Sequence, residues 1–599
     1  MRDVTHNSDI YHTTICTHIF MQNLDQDTQK RIQQWLSTEY DADTRDAVQD
    51  LIDQKKETEL LDSFYKDLEF GTGGLRGLMG VGSNRINKYT IGKATQGLAN
   101  YLKKQFPNGP LRVAVAYDSR NNSKALGNLV AAVFSANGFQ VFLFQDLRPT
   151  PMLSFAVRHF QCQGGVMLTA SHNPKEYNGY KAYWQDGGQL VAPHDKNVID
   201  EVNSIQSISD IKFQSNPDQI TLIGADFDDI YIAANKALSI HPESVKQQRD
   251  LRIVFSSIHG TGSTIVPKTL RAWGFQHVEV VEEQNEPDGN FPTVIYPNPE
   301  EQEAMSMALK KAEDSQADVV MATDPDADRV GVGIRLPSGA FSLLNGNQIG
   351  SLLTYYVLSA RSNDRLQGMQ PYVVKTIVTS NLISDIAESF GVPCYDTLTG
   401  FKYIGQMMTR LEKEKQYVVG GEESYGFLVG DLVRDKDAVN ACAFIAEMTA
   451  FFKAQGKTLY DVLDLLYEQF GYYKEKLISL TKTGKAGADQ IKQMMADLRA
   501  DLPTSLGGVT VKEVRDYLSS ETVMMLDGRR EPIELPKSDV LQFITVDGDV
   551  ISARPSGTEP KIKFYCSVKE APGTAHPSQE IAQRLERKID VIMQDLVTV

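Results

Sequence analysis

The sequence predicts an α/β protein. Three tandem, similar α/β domains with mixed or parallel sheets precede a C-terminal α+β domain, all arranged around a central cleft. Three observations carry this. A strand–helix–Gly–strand pattern occurs three times, each copy is followed by a buried strand ending in a polar loop, and the pattern changes beyond residue 471. A strand, a helix and a second strand form a βαβ unit, which builds parallel sheets covered by helices. Ligands bind such sheets beyond the carboxyl ends of the strands, so three equivalent loops can face one cleft.

The chain opens on residues 1–20, with three His and one Cys but no apolar core of a signal peptide. This stretch is expected to be disordered, or to precede a true start at Met21. A helix-like stretch follows, Asp25 to Ile52. The first repeat is Arg112–Asp118, a helix, then Gly138–Phe144. The second is Arg252–Ser256, a helix, then Gly274–Val281, and the third is Tyr372–Val378, a helix, then Gly391–Tyr395. Repetition at this scale points to duplication of one domain type. Gly164–Leu168 runs into Thr169–Pro174, Ala317–Ala322 into Thr323–Arg329, and Gln416–Val419 into Gly420–Gly426. Near the C-terminus, helical periodicity at Ala488–Ala500 and Ser578–Leu596 flanks short strands, with an Asp-Gly hairpin signal inside Phe543–Val550. The expected domains are 21–220, 221–337, 338–470 and 471–599.

Composition narrows the class. The 599 residues carry 61 Lys and Arg against 77 Asp and Glu, a net charge of −16. So acidic a chain is a poor general binder of nucleic acid or anionic membrane. No apolar run approaches the ~18 residues of a membrane helix. The five cysteines, at 16, 162, 394, 442 and 566, form no CxxC pair. That excludes a disulfide framework and a zinc pattern, and fits a reduced, cytoplasmic setting.

The loops carry the chemistry. Asp324-Pro-Asp326-Ala-Asp328-Arg329 sets carboxylates at alternate positions, hard oxygen ligands for Mg²⁺ with places left for phosphate. An EF-hand would need Gly and Glu where Arg329 and Arg335 stand. A solvated acidic turn is the plain alternative, against which the buried strand before the loop argues. Thr169-Ala-Ser171-His172-Asn-Pro174 offers a hydroxyl at a strand end without the GxSxG of a hydrolase elbow. Ser171 therefore reads as a phosphoryl carrier, with His172, Asn178 and Lys181 around the phosphate; an Asn-Pro turn with an incidental Ser is the alternative. Gly420–Gly426 suits sugar hydroxyls, or is a charged surface turn. Arg554-Pro-Ser556-Gly557-Thr558-Glu-Pro-Lys561 combines an Arg fork, hydroxyls and a Gly amide that match a phosphate dianion, or is an ordinary hairpin turn. Gly71–Gly77 lacks the GxGxxG pattern, and no GxxxxGK[ST] loop occurs.

Together, and in this order, Thr-Ala-Ser-His-Asn-Pro, Asp-Pro-Asp-Ala-Asp-Arg, Gly-Glu-Glu-Ser and Arg-Pro-Ser-Gly-Thr-Glu-Pro-Lys resemble the α-D-phosphohexomutase superfamily from about residue 70 to 570. The resemblance implies four domains in a heart shape, Ser171 as phosphoserine, and Mg²⁺ on Asp324, Asp326, Asp328 and a phosphoserine oxygen. It implies sugar contacts from Glu422 and Ser424, and a phosphate site at Arg554, Ser556, Gly557 and Thr558. Lys375, Thr399 and Gly400 resemble further sugar-binding segments, and Arg76, Lys181 and Arg329 the basic residues around the reacting phosphate. Length and the Gly-Glu-Glu-Ser loop are most similar to the phosphoglucomutase branch. That branch interconverts glucose 1- and 6-phosphate, with glucose 1,6-bisphosphate as intermediate and activator. Phosphopentomutase and glucose-1,6-bisphosphate synthase are the alternatives. Phosphomannomutase is disfavoured because Tyr425-Gly426 stands where such relatives have Gly-His. The proton carrier stays open between Lys181, His172 and Lys436, the last in a basic stretch resembling one that follows the sugar loop in the phosphoglucomutases. A hydrolytic phosphatase and a non-catalytic sugar-phosphate binder are the remaining readings. The expected partners are small sugar phosphates, with no nucleic acid and no membrane, and the expected state is a monomer.

Overall fold

Each repeat folds into the βαβ unit its pattern predicts. Val113 pairs in parallel with Val141 on one side and with Gly164 on the other. Ile253 does the same with Val278 and Val319, and Val373 with Cys394 and Val419. The structure is a computed structural model that describes residues 24–71, 74–360, 369–482, 484–556, 561–573 and 578–597. The expectation for residues 1–20, and the candidates Gly557 and Thr558, lie outside the described residues.

In all three units the strand that enters the polar loop is followed by an antiparallel return. Met167 pairs with Lys181, Thr323 with Val330 and Glu422 with Gly426. The sheets are therefore mixed. The first runs in the order 74–78, 177–184, 164–168, 112–117, 140–144, 220–223. The second runs 341–344, 330–335, 319–323, 252–256, 277–280, and the third 394–397, 370–376, 415–422, 426–429. Ile220–Ile223 completes the first sheet and Phe341–Leu344 the second, so these sheets extend a few residues past the divisions expected at 220 and 337. The C-terminal sheet, from Tyr472–Thr481 through Lys561–Glu570 and Val550–Pro555 to Arg530–Pro532, is antiparallel throughout. Helices Gly484–Ala500 and Ser578–Val597 pack against it.

The stretch expected as helical from Asp25 to Ile52 is broken. Helix Gln26–Trp35 ends at Leu36, and Asp41 starts a second helix, Ala42–Asp53, by accepting a hydrogen bond from the Thr44 amide. An Asp side chain before an apolar-periodic run is a helix start, and here it outweighs the continuous periodicity.

One apolar core runs through the first three domains, from Ala114 and Phe144 through Phe255 and Trp273 to Val373 and Phe444. Helix Ala438–Lys453, apolar on nearly every face, is buried along almost its whole length there. Its one acid, Glu447, is fully buried and accepts hydrogen bonds from the Tyr356 hydroxyl at 2.6 Å and the Ile240 amide at 2.9 Å, and from the Ser239 hydroxyl. The C-terminal domain has its own core around Phe543, Phe564 and Ile589. It is joined through Gly471, whose φ of +97° and whose approach to the Glu570 carbonyl exclude a side chain. A smaller cluster of Ile377, Val378, Leu398, Tyr517, Val540 and Tyr565 packs it against the third domain.

Glu447→Ala is expected to remove three hydrogen bonds from the buried core and to cost about 3 kcal/mol. The measurement is the urea midpoint of the first unfolding transition; an unchanged midpoint would contradict this account of the central helix.

Candidate active site

The strand Gly164–Leu168 delivers Thr169–Pro174 to the middle of the molecule. Ser171 sits there in the left-handed region, φ +52°, with its amide donating to Thr169 Oγ1 at 2.8 Å. A buried arginine that the motif reading missed holds this turn. Arg120 Nη2 donates to the Ser171 carbonyl at 2.6 Å and also to that of Asn173, while Nη1 donates to Pro174 O at 2.8 Å. Its own charge is met by the buried Asp118 carboxylate at 3.4 Å. The turn presents Ser171 Oγ inward, where it donates to Asp324 Oδ2 at 2.9 Å and lies 3.1 Å from His172 Nδ1. Burial, helped by Arg329 and Arg76, holds the His172 imidazole well below its ordinary pKa, so it is neutral.

The acidic loop is clamped from three domains. The Thr150 amide donates to Asp326 O at 2.9 Å, the Thr261 amide to Pro325 O at 2.8 Å and the Ala438 amide to Ala327 O at 3.2 Å. Asp324 Oδ1 accepts from the amides of Asp328 and Arg329, each at 3.0 Å. Asp324, Asp326 and Asp328 are buried, with one oxygen of each within 4.8 Å of the others. Burial and the two neighbouring carboxylates push Asp324 well above the usual carboxylate range. Asp326 Oδ1 and Asp328 Oδ1 are buried with no hydrogen-bond donor among the described residues. Converging oxygens, electrostatic repulsion and unpaired lone pairs fit a hard divalent cation.

Two lysines line the other side of the triad. Lys181 Nζ lies 2.7 Å from Asp326 Oδ2 and 2.9 Å from Asp328 Oδ2. Lys436 Nζ lies 3.2 Å from Asp328 Oδ2 and 3.3 Å from Asp435 Oδ1. Burial alone would lower both lysines, but these carboxylates, with Glu422 beside Lys436, hold them above the ordinary range. Glu422, at the end of its strand, is pushed by burial to about 7.

A cleft of about 780 Å³ opens in front of these groups and is lined from all four domains. Arg76, Ser171, His172, Lys181, Asp328 and Arg329 face it from the first two domains. Thr399, Gly400, Glu422, Ser424 and Lys436 face it from the third, and Arg554 from the fourth. Glu422 Oε1 accepts from the Gly400 amide at 3.0 Å, which ties the ends of these two segments together. Thr399 Oγ1 is buried without a hydrogen-bond partner among the described residues. Arg329 Nη1 is held by Glu300 Oε1 at 2.6 Å, and Arg76 Nη1 donates to Asn173 Oδ1 at 3.2 Å. The Ser556 amide donates to Lys561 O at 2.7 Å.

Of the candidates, Asp324, Asp326 and Ser556 are not part of the cleft wall, and Lys375 and Asn178 make their contacts away from it. Lys375 is 1% exposed, with its ammonium on Asp396 at 2.8 Å, because its strand is central and both faces are covered. Asn178 is fully buried and donates to Asn121 O and Ser123 Oγ, so it braces the serine loop rather than surrounding a phosphate. Sequence reasoning passed over Arg120, Glu300, Lys402, Lys563 and Tyr565, the last four of which line the cleft. Alternation along the strand after the phosphate loop was a usable signal, since Lys561, Lys563 and Tyr565 share one face.

The comparisons with known proteins agree in order and extent. Residues 67–209, 229–336 and 345–470 match alpha/beta/alpha domains I, II and III of phosphoglucomutase/phosphomannomutase, and residues 491–584 match the C-terminal domain. The chain is 38% identical over 526 residues to the phosphoglucomutase of Staphylococcus aureus (strain MRSA252), covering 87% of this chain and 93% of that one. It is 36% identical over 510 residues to the phosphoglucomutase of Staphylococcus haemolyticus, covering 84% and 91%. Among solved structures, Paramecium parafusin, a phosphoglucomutase in its open form, superposes with a TM-score of 0.67 at 18% identity, covering 89% of this chain and 96% of that one. A phosphoglucomutase/phosphomannomutase family protein from Burkholderia thailandensis gives 0.61 at 18%, covering 88% and 97%. At such identities the structural likeness speaks to the fold. With all four domains matched in sequence and the motif loops meeting in one cleft, the chain belongs to the phosphoglucomutase/phosphomannomutase family, whose members are phosphoryl-transferring isomerases.

Proposed function

We propose that the protein interconverts glucose 1-phosphate and glucose 6-phosphate through a phosphoserine at Ser171 and a bound glucose 1,6-bisphosphate. The observation that carries this is the 2.9 Å hydrogen bond from Ser171 Oγ to Asp324, which sets a phosphoryl acceptor directly on a cation-binding triad. The choice of glucose rests on the similarity to the staphylococcal phosphoglucomutases. Four functional units, divided near residues 224, 345 and 471, meet around the cleft in this reading.

Asp324, Asp326 and Asp328, with an oxygen of the phosphoryl group on Ser171, would hold Mg²⁺, which neutralises charge on that group. The bond from Ser171 Oγ to phosphorus breaks while a substrate hydroxyl oxygen bonds to the same phosphorus. Arg76 and Arg329 orient the equatorial oxygens and spread their charge, the dominant need in phosphoryl transfer. The proton of the attacking hydroxyl ends on Ser171 Oγ as the phosphoryl group leaves it, and neutral His172, 3.1 Å from Oγ, is assigned its relay. Lys436, kept an ammonium by Asp328, Asp435 and Glu422, is assigned a hydrogen bond to the substrate oxygen that gains or loses the phosphoryl group. It lies between Asp328 and the sugar-loop Glu422, whereas Lys181 is held on two triad carboxylates. Glu422, Ser424, Thr399 and Gly400 hold the sugar hydroxyls. Arg554, with Ser556, Gly557 and Thr558, holds the phosphate that is not reacting. The bisphosphate then turns over within the cleft and returns its other phosphate to Ser171. Water stays excluded meanwhile, which suppresses hydrolysis.

Ser171→Ala is expected to lose at least 10³-fold in kcat, a magnitude like that for losing an electrostatic or nucleophilic group, with thermal stability retained. Turnover within tenfold of wild type would sink the phosphoserine reading. With Mg²⁺ and trace glucose 1,6-bisphosphate, kcat/KM for glucose 1-phosphate is expected to exceed that for mannose 1-phosphate and ribose 1-phosphate by about tenfold or more, ~1.4 kcal/mol. A preference for ribose 1-phosphate would move the protein to pentose phosphates and refute the glucose assignment.

A further inference from the structure

Lys436 is a long, flexible side chain, yet it is 8% exposed and held on four sides. Its stem crosses Gly426, where an added Cβ would lie 2.0 Å from Lys436 Cδ. The Phe401 ring lies 5.9 Å from its ammonium, and Asp328 Oδ2 at 3.2 Å. The fourth partner is Asp435, the preceding residue. Asp435 Oδ1 accepts from the Lys436 amide at 2.9 Å and from its ammonium at 3.3 Å.

Asp435 is itself held from another domain. It is 1% exposed, and its Oδ2 accepts from the Tyr183 hydroxyl at 2.7 Å and from Gln189 Nε2 at 2.8 Å. Tyr183 lies on the return strand Tyr177–Trp184, two residues beyond Lys181 and so on the same face. One strand of the first domain thus sends Lys181 to the triad and Tyr183 to the residue that holds Lys436. The two oxygens of a single carboxylate do different work, one gripping the first domain and the other aiming a lysine of the third.

We propose that Asp435, anchored by Tyr183 and Gln189 across the boundary of the first and third domains, is a positioning residue that aims the Lys436 ammonium, and that Gly426 is the gap its stem requires. The inference rests on the assignment of Lys436 to the reacting sugar oxygen. It also gives Gly426 a reason: any side chain there would occupy the path of the lysine stem.

The test is a double-mutant cycle on the full-length protein. Asp435→Asn, Tyr183→Phe and Gly426→Ala are made in wild type and in a Lys436→Ala background, and kcat and KM for glucose 1-phosphate are read separately. In wild type, Asp435→Asn and Gly426→Ala are expected to lower kcat up to about 10²-fold, as for a displacement near 1 Å at a reacting centre. KM should stay within about twofold, and Tyr183→Phe, which keeps the ring, should show the same pattern more weakly. In the Lys436→Ala background, none of the three should lower the residual kcat further. Equal losses in both backgrounds, or losses in KM alone, would reduce Asp435 to a joint between domains and overturn the inference while leaving Lys436 in its role. Full turnover in Lys436→Ala itself would overturn both.

Discussion

Three carboxylates buried within 4.8 Å of one another are the condition around which the rest of the centre is arranged. Like charges at that spacing in a low-dielectric interior repel strongly, and burial adds a desolvation cost to each. The protein meets that cost in several ways at once. Backbone amides of Asp328 and Arg329 bond to Asp324, and Thr150 Oγ1 and Lys181 bond to Asp326. Lys181 and Lys436 share Asp328, and Ser171 Oγ closes on Asp324. The oxygens left without a hydrogen bond among the described residues, Asp326 Oδ1 and Asp328 Oδ1, suit a cation.

That arrangement explains why the first three domains form one body. Each supplies a residue that the acidic loop needs: Thr150 and Lys181 from the first, Thr261 from the second, Ala438 and Lys436 from the third. A continuous apolar core beneath them keeps these groups in register. The fourth domain has a separate core, and a single glycine, Gly471, begins its attachment. In the proposed reaction the division keeps Ser171 and the acidic loop on one packed body and Arg554 on another.

Much of this was legible in the sequence because the chemistry is written in contiguous runs. Ser171, the three aspartates and Glu422 each sit at the end of a buried strand, and strand, loop and return are read together. The parallel pairing of the three repeats was equally visible, since burial on both faces leaves apolar runs such as Val113–Tyr117. What escaped was set by contacts between distant segments. Arg120 serves Ser171 from 51 residues away. Tyr183 reaches Asp435 across 252. Neither leaves a local pattern. Lys375 is named by resemblance to a sugar-binding segment, and its ion pair with Asp396, in the neighbouring strand, left no mark in the local sequence. The break at Leu36–Asp41 shows a single N-cap bond overriding helical periodicity.

The central claim is that a phosphoryl group passes between Ser171 and the sugar without reaching water. A single turnover of enzyme carrying radiolabelled phosphate on Ser171, mixed with unlabelled glucose 1-phosphate, tests it directly. The account predicts that the label leaves the serine, passes through glucose 1,6-bisphosphate and ends in glucose 6-phosphate. Label released as inorganic phosphate, or retained on Ser171 while product forms, would contradict it.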